Sequence, residues 1–500
     1  MEQKKSPRKQ PGQEKNANPC PLYRKCGGCQ LQNMSYPRQL QWKQAQVEKL
    51  LGKFCEVQPI LGMESPYHYR NKVQAAFALD RSKRIVSGVY QSSTHRVVPV
   101  EHCMTEDALA DRIMMTIREL MKTFKIEPYQ EETGRGLLRH VLVKRGFTSG
   151  QVMVVLVTVS PILPAKNHFV KALRERHPEI TTILQNINDR YTSMVLGEKE
   201  KVLYGSGTIE DTLCGLTFRI SAKSFYQINP VQTEVLYRKA IELAGLTGKE
   251  TVIDAYCGIG TIGMVASKSA GQVIGVESNR DAVKDAIYNA RRNQIKNIYF
   301  YAADAGEFMS AMAEEGERAD VVLMDPPRAG SDERFLSSLI ALSPEKVVYI
   351  SCNPQTQERD LRFLTGHGYQ VKAIQPVDMF PHTNHIETVV LLSHKSPDSV
   401  INVKVEFGEG EGKVPLDAIA ERAKKYQPKP KVTYKMIQEY VEKKYGFKVH
   451  TVYIAEVKRS LGLTMYDAPN AVEELKHLRK RLPKEKVEAI TDALKYFEVI

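Results

Sequence analysis

One cysteine of this 500-residue sequence occupies a position suited to covalent chemistry. Cys352 lies in the motif Ser351-Cys352-Asn353-Pro354, directly after the apolar run 346–350, which we predict to be a strand. A residue that follows a strand is more exposed to a cleft than a core residue. A thiol attacks as its thiolate, so such a site must lower the pKa of the thiol or supply a base. A lone cysteine is more often a packed hydrophobe, and its neighbours therefore decide the interpretation.

Two carboxylates are predicted at the mouth of the same sheet. Asp325 begins the motif Asp325-Pro326-Pro327-Arg328-Ala329-Gly330 after the predicted strand 320–324, and its two prolines make a rigid turn that can wall a pocket for a planar base. Glu387 precedes the predicted strand 388–393 and would lie at the mouth of the same sheet. His382 and His385, in the stretch before Glu387, are interpreted as loop residues without a chemical role.

The run 254–263 combines glycines with the end of a predicted strand and the start of a helix. Gly258, Gly260 and Gly263 spell GxGxxG, a pattern that lets the backbone turn tightly and approach a ligand at a helix N-terminus. Glu277 ends the next strand, where an acid can accept hydrogen bonds from both ribose hydroxyls. These features fit a dinucleotide as well as a methyl donor. Asp304 ends the third strand, where an adenine amino group could be held, and favours S-adenosylmethionine.

Four further cysteines have a spacing typical of metal binding. Cys20, Cys26 and Cys29 lie within ten residues, and Cys103 can supply a fourth thiolate. In a large cytosolic chain such clustering indicates metal or cluster binding rather than disulfides. Four cysteine ligands suit either zinc or an iron–sulfur cluster, and the spacing does not choose between them.

The composition favours a basic protein with an acidic partner. The net charge is +13 and the sequence pI is about 9.1, which favours binding to nucleic acid. No run approaches the ~20 consecutive apolar residues of a membrane span, and the polar N-terminus of mixed charge does not resemble a secretory signal. We therefore predict a soluble, cytoplasmic protein with no membrane contact and no obligate protein partner.

The length of the chain indicates roughly two to four domains. We predict a disordered basic tail over residues 1–19, an α+β domain with the cysteines over 20–215, a doubly wound, Rossmann-like α/β domain over 216–395, and a basic helical appendix over 396–500. In the third of these, short apolar runs alternate with helical stretches, which is typical of a parallel sheet that binds ligands at the carboxyl ends of its strands. The predicted strands are 73–79, 85–90, 151–159, 250–254, 272–277, 298–303, 320–324, 346–350 and 388–393, and the predicted helices include 37–51 and 112–124.

The appendix interleaves lysine pairs with tyrosines. Between Arg422 and Arg459 eleven Lys and Arg residues stand against three Glu. Such side chains could bind phosphates and stack on bases, whereas the alternative is an ordinary helical domain with a charged face. The residues concerned are Lys424, Lys425, Lys443, Lys444, Lys458 and Arg459, with Tyr426, Tyr434, Tyr440, Tyr445 and Tyr453.

The three long motifs together resemble the signatures of the RNA 5-methyluridine methyltransferase family. The resemblance covers about residues 20–395 and rests on Asp325–Gly330, on the stretch 348–356 around Cys352, and on the stretch 378–387. It implies that Cys352 attacks C6 of uracil and that Glu387 removes the C5 proton. It also implies contacts to S-adenosylmethionine, which fall on Gln227, Tyr256, Thr261, Glu277, Asp304 and Asp325.

The cysteine pattern is similar to that of the family branch that methylates 23S rRNA and carries a [4Fe-4S] cluster. The resemblance implies that Cys20, Cys26, Cys29 and Cys103 hold this cluster and that structured ribosomal RNA is the partner. Nineteen residues precede Cys20, too few for the N-terminal TRAM domain of many relatives, so we expect that domain to be absent. The alternatives are a tRNA uridine methyltransferase, an amino-group or protein methyltransferase with the same donor fold, and an iron–sulfur protein that binds RNA without modifying it.

Overall fold

A computed structural model describes most of the chain before residue 395 and parts of the rest. The described residues are 16, 18–91, 94, 96–192, 194–394, 434–447, 449, 454, 457–458, 461 and 484–497. Contacts divide the chain into two units, Met1–Asp398 and Ser399–Ile500. The predicted tail at 1–19 lies almost entirely outside the described residues. No helix among the described residues is long and apolar enough to cross a bilayer.

The first part of the larger unit is built around a seven-stranded sheet. Its strands follow the order β3-β2-β1-β4-β5-β6-β7, and all neighbours are antiparallel except β5 and β6. The strands are β1 Lys72–Leu79, β2 Ile85–Tyr90, β3 Val97–Pro99, β4 Leu138–Arg145, β5 Val152–Thr158, β6 Ile180–Ile187 and β7 Lys199–Tyr204; the helices are α1 Tyr23–Cys26, α2 Tyr36–Leu51, α3 Ala108–Thr123 and α4 Lys166–Arg176.

The second part is an α/β sheet flanked by helices, as the sequence predicts. It has the strand order β12-β11-β10-β13-β14-β16-β15. Its elements are α5 Pro230–Ala244, β10 Thr251–Ala255, α6 Thr261–Ala266, β11 Gln272–Glu277, α7 Arg280–Arg292, β12 Ile298–Ala302, α8 Ala305–Glu314, β13 Val321–Met324, α9 Glu333–Leu342, β14 Lys346–Ser351, α10 Pro354–Gly366, β15 Tyr369–Val377 and β16 Glu387–His394; a hairpin of β8 Ile209–Leu213 and β9 Leu216–Ile220 precedes them.

The predicted parallel sheet is confirmed for five strands and differs at the last two. Strands β10 to β14 are parallel, whereas β16 runs antiparallel to β14 and to β15. Strand β15 escapes prediction because its sequence carries polar residues and a proline among the apolar ones. Each predicted strand forms within about one residue of its expected bounds. Helix α3 begins earlier than expected because the carboxylate of Asp107 accepts the Leu109 and Ala110 amides and caps it.

Both faces of the first sheet are covered, and this joins the two sheets in one unit. Along β5, Val152, Val154 and Leu156 pack against α3 and α4, while the alternating residues Met153 and Val155 belong to the core shared with the hairpin and α5. Helix α2 packs on the second sheet, where its buried residues Val47 and Leu51 join the core under α8 to α10. The contacts therefore place the segments predicted as 20–215 and 216–395 together.

The smaller unit contains two described helices with a core of their own, in agreement with the predicted helical appendix. They are α11 Tyr434–Tyr445 and α12 Lys484–Tyr496. Three of the side chains predicted to contact RNA are engaged inside this unit, because Tyr440, Lys444 and Tyr445 all bond to Asp492. Lys443 on the same helix is exposed. The predicted contacts at Lys424, Lys425, Tyr426, Tyr453 and Arg459 lie outside the described residues.

A chain that ends at Asp398 should fold and bind S-adenosylhomocysteine as the full chain does. Each hydrophobic core of the described residues is formed by one unit alone, so the truncation removes no core side chain from the larger unit. Calorimetry should give affinities within about twofold, a difference of less than ~0.5 kcal/mol. A truncated chain that melts several degrees lower or no longer binds would show that the two units depend on each other.

Candidate active site

Cys352 and Glu387 lie beside each other because of the register between β14 and β16. Ser351, the last residue of β14, pairs with Thr388 in the antiparallel ladder. Cys352 follows Ser351 and Glu387 precedes Thr388, so the two continue the ladder on adjacent strands. Glu387 is 4% exposed, and Cys352 is half-buried. The structure therefore brings together the nucleophile and the base predicted from the sequence.

The environment of Cys352 contains opposing influences on its ionisation. Burial raises the pKa of the thiol to about 11, and the nearby carboxyls of Glu387 and Asp325 raise it too. The Arg328 guanidinium acts in the other direction and lowers this pKa. Cys352 also immediately precedes Asn353, the N-cap of α10, and a helix N-terminus favours a thiolate. The resting thiol is therefore protonated at neutral pH, with a cation and a helix terminus ready to stabilise its anion.

Two carboxyls of the site are held away from their usual ionisation. Burial, and then the charge of Asp325, raise the pKa of Glu387 well above its ordinary value. Burial raises the pKa of Asp325 to about 7. Arg328 opposes the shift at Glu387. A carboxylate with a raised pKa is a stronger base than an exposed one once it has lost its proton, which suits proton abstraction near neutral pH.

Arg328 belongs to the Asp325–Gly330 motif, but the sequence predicted no chemical role for it. Its backbone carbonyl accepts hydrogen bonds from Asn353 Nδ2 at 3.1 Å and Thr356 Oγ1 at 3.2 Å, which tie the Asp325–Gly330 turn to the start of α10. Gly330 closes this turn at φ +76°, and a Cβ there would lie 2.7 Å from Arg359 and Asp360 side-chain atoms. An arginine after an acid and two prolines was a usable signal, since a site for a thiolate needs a cation.

The glycine loop has the geometry expected of a nucleotide site. Tyr256 adopts φ +65°, and the amide of Gly258 donates to Glu277 Oε2 at 3.1 Å, so the acid that ends β11 lies against the loop. Gly263 must be glycine, because a Cβ would lie 2.6 Å from Asp254 Oδ2. Thr261 begins α6, and its hydroxyl bonds to the Tyr237 hydroxyl at 2.9 Å.

The other two predicted contacts to the methyl donor are Asp304, which follows β12 at the same edge of the sheet, and Gln227, which precedes α5. Asp304 is exposed and caps α8, with Oδ1 accepting the Glu307 amide. Gln227 is half-buried, and its carbonyl accepts a hydrogen bond from Asn71 Nδ2 at 3.3 Å.

Asp254, for which the sequence predicted no role, is a further carboxyl at this loop. It lies buried under the glycine loop, where its Oδ2 accepts the Gly263 amide at 2.9 Å. Burial raises the pKa of this carboxyl to about 8, with further contributions from the charges of Asp325 and Glu277.

The four clustered cysteines line one cavity of about 330 Å³. Cys20, Cys26 and Cys29 approach it from the N-terminal segment and Cys103 from the segment between β3 and α3. All four are free thiols, and burial raises the pKa of Cys29 to about 11 and that of Cys103 to about 12. Arg70 lines the same cavity and lowers the pKa of Cys29.

The arrangement of these four thiols does not support the predicted metal binding. Within the part of the chain that is described, no group of three or more His, Cys, Asp and Glu side chains is arranged to hold a metal ion. Tetrahedral zinc with bonds of about 2.3 Å needs thiolates roughly 3.8 Å apart. A four-iron cluster binds each thiolate to a different iron and needs a wider arrangement.

The fold and the glycine loop define a Rossmann-like domain with a nucleotide-type binding site, and comparisons with known proteins identify it as a methyltransferase and give its family. The family model for tRNA (uracil-5-)-methyltransferases matches residues 35–395. An uncharacterized RNA methyltransferase of Halalkalibacterium halodurans is 45% identical over 383 residues, which cover 76% of this chain and 83% of that protein. Another from Listeria monocytogenes is 46% identical over 378 residues, covering 75% and 83%.

A solved structure supports the same assignment. The Pyrococcus abyssi tRNA (uracil-54, C5)-methyltransferase, in complex with S-adenosyl-L-homocysteine, superposes with a TM-score of 0.62 at 28% identity, covering 73% of this chain and 85% of that one. This chain belongs to the tRNA (uracil-5-)-methyltransferase family. It is an S-adenosylmethionine-dependent RNA methyltransferase.

Replacing Arg328 by Met should make Cys352 less reactive. Loss of the guanidinium raises the pKa of the thiol further, and each unit lowers the thiolate fraction about tenfold at a pH below that pKa. The rate of alkylation of the Cys352 peptide by iodoacetamide, followed by mass spectrometry against pH, measures this change. Arg328→Lys keeps the charge and should react at close to the wild-type rate, and the Cys214 peptide is the internal reference. Equal rates of Cys352 alkylation in Arg328→Met and wild type would contradict the conclusion that Arg328 lowers the pKa of this thiol.

Proposed function

We propose that this enzyme methylates C5 of a uridine in RNA through a covalent adduct between Cys352 and C6. The adjacency of Cys352 and Glu387, which come directly after Ser351 and directly before Thr388 where the β14–β16 ladder ends, carries this proposal, since the reaction needs a nucleophile and a base on one pyrimidine. The Cys352 thiolate adds to C6 and leaves an enolate, whose C5 attacks the methyl group of the sulfonium and releases a neutral thioether. The Glu387 carboxylate then takes the C5 proton, the C6–Sγ bond breaks, and the C5–C6 double bond returns.

The electrostatics of the site suit these steps. Arg328 stabilises the thiolate before attack and after elimination, because it lowers the pKa of Cys352. The raised pKa of Glu387 makes its carboxylate a strong base for the C5 proton. The methyl donor would contact Gln227, Tyr256, Thr261, Glu277, Asp304 and Asp325. The target uridine must leave its base stack to reach Cys352.

RNA that contains 5-fluorouridine should trap the enzyme in the presence of the methyl donor. Fluorine at C5 cannot leave as a proton, so a denaturation-resistant adduct accumulates on Cys352. Gel mobility and peptide mass measure it, and Cys352→Ser is the matched control that should form none. Glu387→Gln should accumulate the adduct even on ordinary RNA, because elimination fails.

The result also separates the alternatives. Methyl transfer to RNA with no adduct, retained in Cys352→Ser, would overturn the proposal and favour amino-group methylation. The absence of methyl transfer to any RNA would favour an RNA-binding protein without this activity.

We propose 23S ribosomal RNA as the substrate. The yields of adduct on fragments of 23S rRNA and on tRNA transcripts compare rRNA with tRNA as the substrate. A higher yield on tRNA would overturn the choice of rRNA.

We propose that the cysteine cavity holds a [4Fe-4S] cluster. Four thiols around one cavity supply the ligands, and Arg70 offers a cation to a group that bears four thiolates. The Nε of Arg70 is buried without a hydrogen-bond partner among the described residues, which suits a further acceptor in this cavity. The cluster would fix the N-terminal segment on the segment before α3, and no step of the methyl transfer uses it.

Protein purified without oxygen should contain about four iron and four sulfide per chain. Cys103→Ser should lose most of both, whereas Cys55→Ser, whose thiol does not line the cavity, should keep them. Elemental analysis and visible absorbance measure the content. Stoichiometric zinc with no iron would contradict the proposal.

We propose that the smaller unit contributes to RNA binding through the basic residues that are not engaged by Asp492. The chain that ends at Asp398 tests this, since it should bind RNA more weakly than the full chain while donor binding is unchanged. Equal RNA affinity of the two chains would exclude this role.

A further inference from the structure

The loop between β15 and β16 leads directly into Glu387, and hydrogen bonds from other segments of the chain hold its first five residues. It comprises nine residues, from Asp378 to Ile386. Five consecutive carbonyls in this loop each accept a hydrogen bond from another segment of the chain. These bonds are Gln232 Nε2 to Asp378, Asn229 Nδ2 to Met379, Lys43 Nζ to Phe380, Tyr69 Oη to Pro381, and the Leu31 amide to His382, at distances from 2.9 to 3.1 Å.

The donors to these carbonyls come from segments that are distant in the sequence. Lys43 lies on α2, Leu31 follows the cysteine at position 29, and Asn229 caps α5 just after Gln227. Lys43 also forms a fully buried ion pair with Asp378, at 2.6 Å. Removing one partner of such a pair leaves an unpaired buried charge, which is strongly destabilising. The loop therefore contacts three other parts of the chain. These are the segment that follows Cys29, helix α2, and the start of α5 beside Gln227, which is a predicted contact to the methyl donor.

His382 is the most constrained residue of the loop. It is 1% exposed and has φ +69°, a left-handed conformation that favours Gly and, among other residues, Asn, Asp and His. Gln39 holds it from two sides, since Gln39 Oε1 accepts the His382 amide at 2.9 Å and Gln39 Nε2 bonds to His382 Nδ1 at 3.1 Å. The Tyr67 ring stacks on the imidazole at 4.9 Å. A left-handed residue held by this many contacts fixes the path of the backbone around it.

The path of this loop determines where two groups of the site lie. Glu387 comes five residues after His382, and its backbone pairs with Val377 where the loop begins. His385, between them, reaches Arg328 with Nε2 3.4 Å from Nη2 and meets the Phe380 ring edge-on. A shift of the loop would therefore displace the carboxylate of Glu387, and the guanidinium to a smaller extent, because the turn that carries Arg328 is tied separately to α10 through Asn353 and Thr356.

We propose that His382, locked by Gln39, is a positioning residue that aligns Glu387 with the C5 proton during elimination. The proposal rests on the function proposed above. Leu31 bonds to the His382 carbonyl and Gln30 Oε1 accepts the Asn384 amide, so the cysteine-bearing segment is part of the same support. His382 itself need not touch the substrate, and its imidazole acts through backbone geometry.

Three variants at His382 separate its two contributions. His382→Gly keeps the left-handed backbone accessible but removes the side chain that Gln39 and Tyr67 hold. His382→Ala removes the side chain and disfavours the backbone conformation as well. His382→Asn accepts the left-handed conformation and offers an oxygen near the position of Nδ1, so it is the conservative rescue.

The two chemical steps are measured separately. The rate of adduct formation on 5-fluorouridine RNA reports attack and methyl transfer, and the steady-state fraction of adduct on ordinary RNA reports elimination. We expect His382→Gly and His382→Ala to form the fluorouridine adduct within about threefold of the wild-type rate. Their turnover on ordinary RNA should fall by between about tenfold and about 10²-fold, because a misplacement of about 1 Å can cost about 10²-fold in rate. The adduct should accumulate on ordinary RNA, as in Glu387→Gln. His382→Asn should restore most of the turnover.

Tyr369→Phe is the matched control. It removes one buried hydrogen bond, from Tyr369 to the Pro344 carbonyl, at the far end of β15, and should change stability without changing the fraction of adduct. If attack and elimination slow equally in the His382 variants, or if turnover is unchanged, the positioning role is wrong. If the wild type forms no fluorouridine adduct, the failure lies in the proposed function instead.

Discussion

The reversed direction of β16 is the constraint on which the candidate site depends. Strands β10 to β14 are parallel, so their carboxyl ends share one edge of the sheet, where Glu277, Asp325 and Cys352 are found. A parallel strand would bring its last residue to that edge. Because β16 runs the other way, its first residue, Glu387, lies there instead. The proposed base, which precedes its strand in the sequence, thereby lies beside the proposed nucleophile, which follows its own strand.

Burial controls the ionisation of the side chains at this edge. It raises the pKa values of Cys352 and Glu387, and it also strengthens the effect of nearby charges on both groups. Carboxyls dominate the surroundings, and they favour the neutral thiol and the protonated acid. Arg328 is the cation that opposes both shifts. The proposed nucleophile and the proposed base are thus both protonated before substrate binds, and a bound sulfonium would add a second positive charge in favour of their ionised forms.

The N-terminal segment packs against the part of the molecule that contains the candidate site. Helix α2 buries Val47 and Leu51 in the core of the second sheet, and Lys43 on the same helix pairs with Asp378. Any other register of α2 on the sheet would leave one charge of this buried pair without its partner. A cluster among the cysteines would therefore act on a segment that already contacts the loop before Glu387.

The sequence by itself determined the strand–motif order of the α/β sheet, the glycine loop and the candidate residues Cys352, Glu277, Asp325 and Glu387, because local signals encode them. Short apolar runs form strands, and the glycines follow from backbone sterics. Strand β15 and the direction of β16 were decided only by the tertiary structure, since the direction of a strand depends on pairing between residues far apart in the chain. The same holds for the placement of α2 on the second sheet and for the five supported carbonyls of the loop. Hydrogen bonds between Gln39 and His382, more than three hundred residues apart, leave no periodic signal in the sequence.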